Sequence, residues 1–174
     1  MTSAVIALGS NLGDREANLR SAVAAIDAIA GVVVTGASGI VESRALKPHG
    51  VDAAAPQYLN AVVLAEVSLT ALGLLDELHR IEAEHGRVRA ERWGDRTLDL
   101  DLLLFGDESW RTERLTLPHP RAAGRAFVVV PWLQADPDAV LPGYGRIDAL
   151  ESAASEDLWQ FPASPLIVTS LGRR

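Results

Sequence analysis

Apolar positions along this chain follow two periods. Ser3 to Leu8 is a short apolar run and predicts a buried first strand. Gly9 to Asp14 is turn chemistry. From Arg15 to Ala30 the period becomes helical, with Leu19, Ala22, Val23, Ile26 and Ile29 on one face and Gly31 as a stop. Val32 to Glu42 is rich in β-branched residues and predicts a second strand, and Ser43 to Pro56 a long loop. Tyr58 to Val67 predicts a third strand, antiparallel to the second. Ser68 or Thr70 then caps a helix running to about His85, stopped by Gly86.

Gly86 to Arg96 is polar and arginine-rich. Thr97 to Phe105 predicts a strand, Gly106-Asp107 a turn, and Ser109 to Leu115 a short extended piece. Ala126 to Ala135 predicts a helix, because Pro131 argues against a central strand. Ile147 to Ala154 suggests a last short helix. The order strand, helix, strand, strand, helix, strand predicts a ferredoxin-like split βαβ core of the α+β class, with extra helical elements towards the C-terminus. Its four antiparallel strands would carry two helices on one face. The other face would be open to a ligand or covered by the C-terminal third.

Composition narrows the classes. A chain of 174 residues, 48% apolar and without an internal linker, is expected to form one domain spanning residues 1–174. A net charge of −7 argues against sequence-blind nucleic-acid binding. Absence of cysteine removes disulfides, thiolate metal sites and a Cys nucleophile, and fits a cytoplasmic protein. No apolar run reaches membrane-spanning length. Of the 16 basic residues only Lys47 is lysine, as a GC-rich genome would produce, so the positions of the arginines matter more than their number. Eight lie between Arg87 and Arg125.

The strongest chemical signal is Asp99-Leu100-Asp101. Residues i and i+2 of a strand share a face, so the two carboxylates stand together while Leu98, Leu100, Leu102 and Leu104 take the opposite face. Adjacent carboxylates repel unless a cation or proton lies between them, and hard oxygen donors on a rigid strand suit Mg²⁺ with substrate phosphates. The alternative is a solvated strand face. Arg87, Arg89, Arg92 and Arg96 come just before this strand, and guanidinium forks bind phosphate. Alternatively, they pair with Glu84, Glu91 and Asp95.

Glu82 lies near the same helix end, as a ligand contact or as the partner of an arginine. Trp93, Tyr58 and Phe127 can stack on a flat ligand or fill the core. Asn60 offers a donor and an acceptor to a lactam edge. His119 is held between Pro118 and Pro120, and Arg125 starts the following helix within reach of phosphate. Neither Gly-x-x-x-x-Gly-Lys-Ser/Thr nor Gly-x-Gly-x-x-Gly after a strand is present.

Arg92-Trp93-Gly94-Asp95-Arg96-Thr97-Leu98-Asp99-Leu100-Asp101-Leu102-Leu103 resembles the signature of the 6-hydroxymethyl-7,8-dihydropterin pyrophosphokinase family. Ala7 to Gly13, Pro56 to Val62, Arg80-Ile81-Glu82 with Gly86-Arg87, and Leu117 to Arg121 fit in the same order. The match covers residues 4 to about 142; residues 146–174 are unassigned. The resemblance implies transfer of pyrophosphate from ATP to the pterin hydroxymethyl group, releasing AMP, in folate biosynthesis by a monomer acting on these two small molecules.

By the same resemblance Asp99 and Asp101 hold two Mg²⁺, and Arg87 and Arg96 serve the transfer. Arg89 and Arg92 close the loop over the nucleotide. His119 and Arg125 contact ATP phosphates, Glu82 the ribose, and Leu102, Arg114, Leu115 and Thr116 the adenosine. Tyr58 and Phe127 sandwich the pterin, Asn60 reads its edge, Leu46 and Asp99 also reach it, and Trp93 touches both substrates. The sequence departs from the family pattern at Asp95, His79 and Pro120, and in Ser43 to Lys47. An RNA-binding module on the same fold and a Mg²⁺-dependent phosphohydrolase using the same aspartates are the competing readings.

Overall fold

Nine residues at the start of the chain, Thr2–Ser10 (β1), form a central strand of the sheet. In the computed structural model, residues 1–44, 46–47, 50–51, 57–86 and 97–167 are described. Asp14 accepts a hydrogen bond from the Ala17 amide at 3.0 Å and so opens the helix Arg15–Asp27 (α1). The helix stops three residues short of the predicted Ala30. Asp27 Oδ1 there accepts from the Val34 amide at 2.9 Å, tying the helix end to the next strand. Gly31 follows at φ 84°, and a Cβ there would lie 2.3 Å from Ser68 Oγ, so both backbone sign and space demand glycine.

The predicted second strand is two strands, Val32–Ala37 (β2) and Ile40–Ser43 (β3). Ser38 makes the break: its hydroxyl accepts from the Val62 amide at 2.9 Å and donates to Gly39 O at 2.6 Å, so a side chain replaces a rung of the ladder. The predicted loop contains a small ladder, Leu46–Lys47 (β4) with Gly50–Val51 (β5). Tyr58–Val67 (β6) and Ala71–Glu84 (α2) match their patterns, α2 being capped by Thr70 on the Gly73 amide at 3.0 Å. Asp99–Phe105 (β7) follows, then Trp110–Arg111 (β8) paired with Thr116–Leu117 (β9).

After a 3-10 turn at Ala122–Gly124 comes the helix Ala126–Ala135 (α3), with Pro131 inside it as the sequence predicts. The helix survives the missing amide because Val128, Val129, Pro131 and Trp132 are buried against the sheet. Val140–Leu141 (β10) pairs with Gly145–Arg146 (β11). The expected short helix at Ile147–Ala154 is two 3-10 turns, interrupted by Leu150 in extended conformation. The tail then adds a strand that the sequence did not reveal, Leu158–Phe161 (β12), paired with β3. The Arg44 guanidinium lies 5.6 Å from the Trp159 ring centre.

The sheet order is β12-β3-β6-β1-β7, with β2 also on β6, and every pairing is antiparallel. Strand β6 lies between the two ends of the first βαβ unit and β1 between those of the second, which is the ferredoxin-like arrangement. On one face Ile6, Leu8, Leu59, Ala61, Val63, Leu100 and Leu102 pack against α1 and α2. On the other face Ala7, Val62 and Leu103 pack against α3.

One register shift alters this alternation. Val5 faces Leu104 while Ile6 faces Leu102, so Leu103 is an extra residue in β7. Leu104, expected beside Leu100 and Leu102, instead packs on the α3 side, and Phe105 enters the α1/α2 core. Among the described residues no helix is long and apolar enough to cross a membrane.

Candidate active site

Three strands set the floor of the site by their register. Gly9 in β1 pairs with Asn60 in β6 and with Asp99 in β7; two residues on, Ala7 pairs with Val62 and Asp101. The strand period puts Tyr58, Asn60, Gly9, Asp99 and Asp101 on the α3 face. The two middle residues are small, which keeps the floor low. A Cβ on Gly9 would meet Asn60 Oδ1 at 3.4 Å and Tyr58 Cδ1 at 3.5 Å. Asn60 is buried, its Nδ2 donating to Ser43 Oγ at 2.7 Å, whereas Tyr58, Asp99 and Asp101 are partly exposed.

The start of α3 closes one side. Arg125 Nη1 stands 3.7 Å from Asp101 Oδ2, and its guanidinium lies 5.5 Å from the Phe127 ring centre. At that separation the pair is longer than a direct hydrogen-bonded ion pair.

His119 is fixed through its backbone. Its amide donates to Leu103 O at 2.9 Å, the carbonyl of the extra residue in β7. The bulge thereby anchors the Pro118-His119-Pro120 turn beside the aspartates. His119 Nδ1 accepts from the Arg121 amide at 3.2 Å, which assigns the proton of the neutral ring to Nε2. Burial is the main cause that lowers its pKa to about 4, with Arg125 and Arg121 adding to it and Asp99 opposing it. At neutral pH the ring is an uncharged donor.

The other expected nucleotide contacts lie elsewhere on the fold. Glu82 is 1% exposed, and its Oε2 accepts from the Leu100 amide at 3.1 Å, on the edge strand that carries the aspartates. Leu102 and Leu115 are buried in the α1/α2 core. Arg114 is exposed and paired with Asp76 of α2; Thr116 is exposed on β9. Arg87, Arg89, Arg92, Trp93 and Arg96 lie outside the described residues, as does the expected closure of their loop, and Leu46 is placed by its backbone in β4.

A cavity of about 1080 Å³ is lined by Arg121, Gly124 and Arg125 on one side and Leu150 and Ser152 on the other, with Tyr144 on its wall. Sequence reasoning passed over Gly9 and Ser43 as site residues. The signal for Gly9 was the pair of small residues Ala7 and Gly9 at i and i+2 of a strand. Ser43 had none, because its partner Asn60 is set by tertiary pairing.

The donor set suits a hard cation. Asp99 and Asp101 offer carboxylate oxygens on one face, and among the described residues no group of three or more acids and histidines gathers. A divalent ion held here by two carboxylates would complete its shell with water and substrate oxygens, which is how Mg²⁺ is commonly bound.

Topology and site together define the class: a ferredoxin-like α+β domain with paired acids, an arginine and a neutral histidine on one sheet face. Residues 5–137 match the family model for 7,8-dihydro-6-hydroxymethylpterin-pyrophosphokinase (HPPK). The chain is 46% identical over 142 residues to the 2-amino-4-hydroxy-6-hydroxymethyldihydropteridine pyrophosphokinase of Haemophilus influenzae, covering 82% of this chain and 86% of that protein. It is 49% identical over 128 residues to the Bacillus subtilis protein of the same name, covering 74% of each. A crystal structure of an HPPK-DHPS chain in complex with substrates superposes with a TM-score of 0.64 at 11% identity. That superposition spans 87% of this chain but 43% of the longer one, and it supports the fold. The chain belongs to the 7,8-dihydro-6-hydroxymethylpterin-pyrophosphokinase family, and with it to the pyrophosphokinase enzymes.

Proposed function

We propose that this enzyme transfers pyrophosphate from ATP to 6-hydroxymethyl-7,8-dihydropterin in a Mg²⁺-dependent reaction, giving the pterin diphosphate and AMP for folate biosynthesis. The observation that carries this reading is the row Asn60–Gly9–Asp99, which brings a lactam-reading amide within one sheet floor of a metal-binding acid. Tyr58 and Phe127 would hold the pterin ring, with Asn60 and Leu46 at its edge. The hydroxymethyl oxygen would attack the β-phosphorus, the bond from that phosphorus to the α,β-bridging oxygen would break, and the hydroxyl proton would pass to solvent.

Asp99 and Asp101 would hold two Mg²⁺, whose bound charge neutralises the triphosphate and lowers the hydroxyl pKa. Arg125 would exchange its contact with Asp101 for a phosphate oxygen. His119, neutral, would donate from Nε2 without adding charge. Arg87 and Arg96 would flank the charge that builds during transfer, and Arg89, Arg92 and Trp93 would close over both substrates. Glu82, Leu102, Arg114, Leu115 and Thr116 would form the nucleoside side; Glu82 would act through the Leu100 amide as well as on the ribose. The same reading makes it a cytoplasmic monomer of one domain with no nucleic-acid or membrane partner.

Incubation with ATP, Mg²⁺ and the pterin should yield AMP in strict dependence on the pterin. ADP as the main product would indicate an ordinary kinase, inorganic phosphate a phosphohydrolase, and no turnover a binding module.

A further inference from the structure

Four residues from separate segments around the site converge on one side of α1. Glu42 lies in β3, Gln57 directly precedes β6, His85 directly follows α2, and Thr97 lies two residues before β7. All four meet one helix. Arg15 Nη1 donates to Glu42 Oε2 at 2.7 Å and to Gln57 O at 2.9 Å. Asn18 Nδ2 lies 3.0 Å from Leu12 O, 3.3 Å from Ser10 Oγ and 3.3 Å from Thr97 O. Ser21 Oγ lies 3.0 Å from His85 Nε2. Positions 15, 18 and 21 follow one another at i+3 along α1 and share a side of it.

We propose that Arg15 and Asn18 are positioning residues of the pyrophosphokinase reaction, each serving a different half of the site. This rests on the function proposed above. Arg15 grips the carbonyl of Gln57, the residue before Tyr58, and thus sets the stacking side of the organic substrate. Its second contact, Glu42, precedes Ser43, the partner of Asn60. Asn18 joins the end of β1 to the start of β7: Ser10 follows Gly9, and Thr97 lies two residues before Asp99. Its two amide protons are shared among three acceptors, so the group ties three segments with one side chain. Neither residue touches the floor of the site. Each acts through the backbone that carries a residue on it.

The division of labour gives a kinetic signature. Arg15→Ala should raise the pterin KM about 5- to 20-fold with kcat within roughly threefold, as loss of binding that is equal in ground and transition states does. Asn18→Ala should lower kcat about 10- to 100-fold, because a small displacement of Asp99 misaligns the transfer step, with pterin KM within roughly threefold. Arg15→Lys should recover part of the KM, since an ammonium can still donate to both acceptors. Asn18→Asp should be worse than Asn18→Ala, because it sets a carboxylate against the carbonyl oxygens of Leu12 and Thr97.

Steady-state kinetics, with melting temperature measured on each variant, separate this from general damage to α1. Parallel changes in kcat and KM in both variants that track the fall in melting temperature would overturn the proposal. So would Arg15→Ala and Asn18→Ala that leave both constants unchanged. Arg15→Gln keeps most of the side-chain length and carries the same expectation as Arg15→Ala should the latter unfold; Asn18→Leu, close to asparagine in size and unable to donate, does the same for position 18. Wild-type enzyme is the control: if it yields no AMP, the functional reading fails, whereas AMP from wild type without the split in the variants defeats this inference alone.

Discussion

The two faces of the sheet are built from the same strands yet do opposite things. Towards α1 and α2, β7 presents Leu100 and Leu102, both 3% exposed, in a continuous apolar core. Towards α3, the same strand presents Asp99 and Asp101, and only beyond them does Leu103 join a second core under the helix. The contrast teaches that the site lies on a rigid support: its carboxylates alternate with core residues and cannot shift without disturbing packing.

Removing a carboxylate should give the sharpest break between the faces. Asp101→Ala is expected to lower turnover more than about 1000-fold while melting within a few degrees of wild type, because the side chain leaves the core and serves charge. Calorimetry paired with AMP release measures both; near-normal activity at ordinary Mg²⁺ would sink the paired-carboxylate site. Its neighbour should behave in reverse. Leu100→Ala removes a buried side chain and is expected to cost about 2–5 kcal/mol of stability in urea unfolding, with kcat of the folded fraction nearly intact. If kcat fell as far as in Asp101→Ala, the faces would not be separable.

Gly9→Ala sharpens the comparison on the floor itself. The added methyl meets Asn60 and Tyr58 at contact distance and would raise the pterin KM by roughly tenfold with little change in ATP affinity. Equal loss for both substrates would place Gly9 outside the pterin side. The smallest effect concerns His119, whose folded pKa of about 4 lies below its unfolded value. The unfolded chain binds the proton first, so stability rises with pH between about 4 and 6.5 and is lost as pH falls through that window. His119→Gln should flatten this part of the profile of unfolding free energy against pH by about 1–2 kcal/mol, the ring keeping some solvent contact. An unchanged profile would mean that His119 titrates normally.

Local pattern made much of the fold legible. Tyr58–Val67 and Ala126–Ala135 match the predicted boundaries to the residue, since each contains a long apolar period with clear breakers. The shared face of Asp99 and Asp101 followed from the strand period alone. Features set by distant partners were not legible. Ser38 interrupts its strand by bonding Val62, the bulge at Leu103 depends on β1, and β12 exists because β3 offers an edge. In the candidate site, Asp99, Asp101, His119, Arg125, Tyr58 and Asn60 were singled out by residue type, whereas Arg15 and Asn18, proposed above as positioning residues, look in sequence like an ordinary first helical turn.

Strand β12 has a consequence for how the molecule behaves among copies of itself. Without it, Ile40 to Ser43 would present an open row of backbone donors and acceptors, flanked by apolar side chains, to any passing extended segment. The tail occupies that row from within the chain, and Arg20 holds its continuation through the carbonyls of Ser164 and Pro165 at 2.6 and 3.1 Å. The open rim on that side of the sheet is therefore β12 itself, an edge of only four residues, and a short edge is a poorer template for a passing strand than a long one.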